Sequence, residues 1–297
     1  MSDLTLGVDV SDAVARLAVV KGGGEVVARG ITAANRVSAI KDAVKKAVSS
    51  VGGDIASLAV ALPAAGESVA EDLGTALGVA TRARPITAIA AGTAAAIAEY
   101  RCGAAVGIKH VITLVVADHV TAGVLIDGRP WAGAHGLASS VGWMALNPVE
   151  REDYRRYGGL EAEAASAGIV RRFVWRIKSG DVSRVADAVK GDFAKITAAD
   201  ILNGARTGDG VSISVVRDTA KYIGMAVANL VTMFDPEIVV LGGIVASSSD
   251  VMLEAIRVDT TRRLSPHQGE QVKVTVSTLG DDAVAIGAAL ASSRAGA

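Results

Sequence analysis

A single cysteine, Cys102, stands among 297 residues. A lone thiol cannot close an intramolecular disulfide, nor supply the several soft ligands of a thiolate-rich zinc site. A reducing, cytoplasmic setting without structural zinc is the expectation. Excess charge is lacking too, since 30 Lys and Arg face 31 Asp and Glu, for a net charge of −1. No general field favours nucleic acid or an anionic membrane, so neither is expected as a direct partner. The densest basic stretches, Arg151 to Arg156 and Arg171 to Lys178, are interleaved with acidic or apolar residues and read as solvated helix faces. No run approaches the roughly 20 uninterrupted apolar residues of a membrane span, and no basic segment leads into an apolar run with a small-residue cleavage site.

What is present is a large apolar share, 51% of the residues. At about 100–200 residues per domain, the length suggests two domains, each able to bury a core. Apolar or alternating runs at Leu4–Val10, Val14–Val20 and Glu25–Ile31, broken by Ser11-Asp12 and by Gly22-Gly23-Gly24, predict three short antiparallel strands. The period then changes. Val37, Ile40, Val44 and Val48 recur at helical spacing up to Gly52-Gly53, and Leu58–Leu62 follows as a strand ended by Pro63. Helices are expected at Ser68–Leu77 and Ala90–Tyr100. From His110 the same grammar restarts: Val111–Ala117 and Val120–Ile126 alternate like a hairpin, and Asp127-Gly128 supplies a tight turn. Helices dominate from Leu160 to Phe234. Strand Ile238–Leu241, a helix after Ser247-Ser248-Ser249, strand Val272–Val276 and a helix near Asp281–Ser293 complete the pattern. Two halves, each a meander followed by alternating strands and helices, suggest duplicated α/β units around a cleft.

The stretch from Tyr222-Ile223-Gly224 through Asn229 and Asp235-Pro236-Glu237 to Leu241-Gly242-Gly243 resembles the helix-to-strand segment of the ROK family (repressor, open reading frame, kinase). Leu6-Gly7-Val8-Asp9, Ile126-Asp127-Gly128 with Gly133-Ala134-His135-Gly136, and Gly280-Asp281-Asp282-Ala283 with Gly287-Ala288-Ala289 agree in order and spacing. The resemblance spans almost the whole chain. It implies an α/β, two-domain, actin-like ATPase (ribonuclease H-like) fold, as in hexokinase and the heat-shock ATPases, with a cleft between duplicated domains. Residues 1–115 would form the first domain and 116–280 the second, with a helix at 281–296 packing back on the first.

The same resemblance implies ATP and Mg²⁺ as cofactors of a sugar kinase, but this sequence departs from the family at each chemical station. Ala91 stands where the family has its catalytic Asp, with Ala90 and Thr93 in place of flanking Asn residues. Ser11-Asp12-Ala13 replaces a Gly-Gly-Thr phosphate loop, and Ala117-Asp118-His119 replaces a Gly-Thr-Gly one. Asp12 and Asp118 read as solvated turn residues, or together as a cation site. The zinc and sugar module becomes Ser139-Ser140-Val141-Gly142-Trp143 followed by Gly158-Gly159-Leu160-Glu161, with no cysteine between.

Asp9, Gly242 and Gly243 remain as candidate cofactor-binding residues, the glycines because bare backbone lets a flat ligand approach. Asp9 and Glu161 are equally placed to serve as caps. Glu161, Trp143 and Ser140 are the candidate substrate-binding residues, although the indole of Trp143 is also expected to fill the old pocket. The expected function is a pseudokinase that senses a small molecule in the interdomain cleft or binds a protein partner, as a homodimer. The alternatives are an ATP-dependent sugar kinase with rearranged residues and a purely structural subunit. Repressors of the family carry a helix-turn-helix ahead of the kinase-like part, and only eight residues precede Asp9 here, so a direct DNA reader is not expected.

Overall fold

The opening period-two pattern folds as a meander. In the computed structural model of the protein, which describes residues 4–63, 73, 74, 76–78, 81, 83, 86–138 and 140–292, β1 (Leu4–Asp9), β2 (Val14–Val20) and β3 (Val26–Ala33) pair antiparallel in sequence. Helix α1 (Val37–Val51) buries Ile40, Val44 and Ala47, one stripe at the spacing expected, and stops where Gly52 turns left-handed at φ 63°. Strands β4 (Ile55–Leu62) and β5 (Ile86–Ala90) then add parallel to β1 and β4, giving the order β3-β2-β1-β4-β5.

The same plan repeats. β6 (Val111–Val116), β7 (Val120–Ile126) and β8 (Arg129–Pro130) form a second meander, turned between β7 and β8 by Asp127 and Gly128, both at positive φ. β9 (Ile238–Gly243) and β10 (Lys273–Val276) lie parallel to β6 and β9, so the second sheet reads β10-β9-β6-β7-β8. Read outward from its first strand, it has the order of the first sheet. This is the duplicated α/β arrangement of the actin-like fold.

Between the strands lie α2 (Ala91–Cys102), α3 (Glu152–Tyr157), α4 (Gly159–Ala164), α5 (Ser166–Lys178), α6 (Ala198–Arg206), α7 (Gly210–Phe234) and α8 (Ser249–Thr261). The largest buried cluster joins α4 to α8 with the second sheet, and a separate cluster joins α1 to the first. Helix α9 (Ala283–Ser292) returns to the first sheet, where Ser57 Oγ donates to Ser292 Oγ at 3.0 Å. A Cβ on Gly287 would lie 1.7 Å from the Ala94 carbonyl oxygen, so α9 and α2 cross in backbone contact. Both helices are rich in Ala and Gly because they are buried on more than one side.

The expected strands are present, with ends shifted by a residue or two; strand Leu58–Leu62 begins earlier, at Ile55. Helix α3 falls on the Arg151 to Arg156 stretch read as a helix face, whereas strand β5 was not expected. The Ile86–Ala90 run is alanine-rich and leads without a break into α2, so period alone does not separate strand from helix. The helix expected at Ser68–Leu77 falls largely outside the described residues, as does Ser139. No helix among the described residues is long and apolar enough to cross a membrane.

Candidate functional site

The C-terminal ends of β1, β6 and β9 meet the turn before α9 around one hollow of about 260 Å³. Asp9, Asp12, Asp118 and Asp281 line it together with Arg16, Gly242 and Gly243. The sequence-predicted Asp9, Gly242 and Gly243 are therefore brought together. The hollow lies below the roughly 300–1,000 Å³ of ordinary small-molecule sites.

Asp9 closes β1 at 4% exposure, and its Oδ1 accepts from Ser11 N–H at 2.9 Å and from Ser11 Oγ at 2.6 Å. Burial pushes its carboxyl up to about 6, against the lowering effect of the two Ser11 bonds. Ionising Asp9 thus opposes folding above pH 6 and has no effect below the ordinary value of 3.8. Asp9→Asn can keep the Ser11 bonds through its carbonyl oxygen. It is expected to raise stability at pH 8 by at most about 3 kcal/mol, the equivalent of roughly two pKa units, and the gain should fade as pH falls from 6 to 4. Denaturant titrations at pH 8 and pH 4 measure this, and an equal gain at both pH values contradicts it.

Gly243 has a cause in the fold. Its φ is 65°, and a Cβ there would lie 2.1 Å from the Val116 carbonyl oxygen.

The turns that open onto the hollow bond to each other. Ala13 N–H donates to Asp118 Oδ2 at 3.1 Å, and Asp118 N–H donates to Asp12 Oδ1 at 3.2 Å. Burial, and then the Asp118 charge, hold the Asp12 carboxyl above its usual range. These residues are more than solvated turn positions, and the oxygens so engaged face amides. Among the described residues no group of three or more His, Cys, Asp or Glu is arranged to hold a metal.

Beside the hollow, His119 Nδ1 lies 2.9 Å from Glu161 Oε1, and Val120 N–H donates to Glu161 Oε2 at 3.2 Å. The hydrogen bond to Glu161 holds the His119 ring above its ordinary pKa, against partial burial. Glu161 lies in the first turn of α4, against a short 3₁₀ turn, Val141–Trp143, where a Cβ on Gly142 would meet its Oε2 at 2.8 Å. Trp143 ends that turn 61% exposed, and Ser140, also exposed, precedes it. The expectation that the indole fills the pocket fails, because Val141 and Gly142 take the inward places. Ala91 is 1% exposed, the first residue of α2, in a cluster with Ala59, Ala61 and Val284.

A larger hollow of about 840 Å³ lies elsewhere, among α3, α5 and α7. Arg151, Arg172 and Tyr154 converge there on the buried Glu163 carboxylate, and Arg171 pairs with Asp153. Arg151, Arg171 and Arg172 are thus committed to partners, which corrects the reading of these stretches as merely solvated faces. The 260 Å³ hollow is the better candidate because it gathers residues from both sheets.

The family profile of the ROK family matches residues 71–294. The glucokinase of Halalkalibacterium halodurans is 29% identical over 198 residues, 65% of this chain and 59% of that protein. The xylose repressor of Caldicellulosiruptor bescii is 29% identical over 186 residues, 61% of this chain and 45% of that protein. The chain thus matches about half the length of these curated relatives. A crystal structure of a ROK family glucokinase from Streptomyces griseus, in complex with glucose and AMPPNP, superposes with a TM-score of 0.83 at 24% identity, covering 97% of this chain and 99% of that one. With repressors among the relatives, the expectation of no direct contact with nucleic acid gains no support.

Proposed function

Because the chain belongs to the ROK family, we propose that it is a member without phosphotransferase activity, whose cleft senses a small molecule or serves a protein partner. The observation that carries this is Ala91. A sugar hydroxyl must lose its proton to attack a phosphoryl group, and the residue at the family's base position is a buried methyl group. The first turn of α2 offers no acidic residue in its place. Zinc fits no better, since residues 140–161 contain neither cysteine nor histidine.

The ligand in this reading is a neutral or cationic ring-bearing molecule. The exposed Trp143 indole gives an apolar face and an N–H donor, Ser140 a hydroxyl, and Glu161 a carboxylate. Phosphorylated anions are disfavoured beside Asp12 and Asp118. Residues 1–115 and 116–280 act as the two bodies around the cleft, with the helix from 281 belonging to the first, and the protein works as a homodimer.

One observation favours a rearranged kinase instead. With Nδ1 engaged by Glu161, the His119 ring has Nε2 available as a proton acceptor. Fluorescence titration with neutral sugars, amino sugars and amines tests the ligand-sensing reading. A change in emission that disappears in Trp143→Phe, with Trp131 and Trp175 still present, is the expected result. A flat response across the panel removes the small molecule and leaves only the protein partner.

A further inference from the structure

The Ser11–Ala13 and Ala117–His119 turns hold equivalent places, each joining the first and second strands of its sheet. Their bonding is reciprocal, since each turn sends one backbone N–H to the carboxylate of the other across 105 or 106 residues of sequence. Two like charges approach here, and burial, then the Asp118 charge, makes the Asp12 carboxyl hold its proton more tightly. The amides are what make the approach tolerable, because N–H groups converging from turns form a cradle for anionic oxygen.

A bound phosphate would need these amides and would find them taken, next to two carboxylates. The site therefore does not fit a nucleotide phosphate. The second turn is further fixed by Ala117 N–H to the His119 carbonyl at 3.0 Å, by Ser166 N–H and Oγ to the Ala117 carbonyl at 2.9 and 3.0 Å, and by His119 to Glu161.

We propose that the two turns form a carboxylate clasp, in which Asp12 and Asp118 stand in for the oxygens of a bound phosphate and hold the two hairpins together without nucleotide. The phosphate comparison rests on reading these turns as former phosphate loops. The crossed bonds do not. The cleft thus contains a masked oxyanion site, open to inorganic triphosphate once the two side chains are removed.

Amide hydrogen exchange on the wild-type protein tests the clasp without any substitution. Ala13 and Asp118 are expected to exchange at least about tenfold more slowly than the unbonded turn amides at Gly22 and Gly23. In Asp12→Gly/Asp118→Gly the protection is lost, and calorimetry detects millimolar or tighter binding of inorganic triphosphate that the wild type lacks. Asp12→Asn/Asp118→Asn keeps an acceptor on each side chain and retains the protection. Unprotected amides in the wild type, equal triphosphate binding by wild type and the glycine variant, or binding by neither overturns the assignment. ATP turnover alongside protected amides would sink the proposed function and the phosphate comparison, and would leave only the crossed bonds standing. Absent turnover with unprotected amides would sink the clasp and spare the proposed function.

Discussion

Incubated with ATP, Mg²⁺ and a common hexose or N-acetylhexosamine, the protein is expected to form sugar phosphate no faster than an enzyme-free control. A positioned general base contributes roughly 10²–10⁴ in rate, and the methyl group of Ala91 contributes none of it. Phosphoryl transfer depends for the rest on positioning and on stabilising charge. Here the turn amides are bonded to Asp12 and Asp118, and the space around them is acidic. These effects compound, so Ala91→Asp alone is not expected to produce turnover. A coupled assay for ADP release measures both proteins. Turnover well above control that Glu161→Ala or His119→Ala abolishes would establish the rearranged kinase.

The second large effect lies away from the cleft. The Glu163 side chain is 3% exposed and accepts from Arg172 Nη1 at 2.8 Å, Arg151 Nη1 at 3.2 Å and the Tyr154 hydroxyl. Arg172 also donates to the Glu163 carbonyl and to Thr219 Oγ1, but its buried Nε has no partner. Burial already holds the Arg172 guanidinium below its ordinary pKa. Glu163→Ala would strand that cation in a desolvated place, where breaking one side of a buried pair costs about 3–5 kcal/mol. Chemical unfolding measures the loss, and Glu163→Gln, which keeps an acceptor, should lose less. Tyr154 offers a second readout. Burial, then the bond to Glu163, pushes its hydroxyl up to about 12, and a spectrophotometric titration of Glu163→Ala should find it lower. A stability loss below about 1 kcal/mol would show that the network is not what orders α3, α4 and α5.

Period and turn chemistry made most of the fold legible. The alternation in residues 4–33 and 111–126, the helical stripe of Ile40 and Val44, and the Asp127-Gly128 turn each act locally, and each formed the element it predicts. Strand β5 was illegible because its five residues share their alanine content with the helix that follows.

At the site, a departure from a family pattern, such as the one proposed at Ala91, can be read from sequence, whereas new bonds cannot. The crossed Asp12 and Asp118 bonds join residues more than a hundred positions apart, and no local periodicity encodes them. The signal available was one of symmetry, an aspartate in the first hairpin turn of each repeat. His119 escaped attention as part of an altered loop, although its ring fixes Glu161. Around Glu163 the arginines looked like surface charge because the buried carboxylate that gathers them lies on a different helix.

Melting the protein with and without saturating MgATP tests most directly whether this ROK cleft has lost its nucleotide. A ligand at 100 times its Kd that binds only the folded state adds about 2.7 kcal/mol, which moves Tm by several degrees in a chain of this size. With the turn amides already bonded to carboxylates, Tm should be the same with MgATP, with MgADP and with buffer. A rise of several degrees with MgATP, saturating with concentration, would contradict that and return the cleft to the kinases.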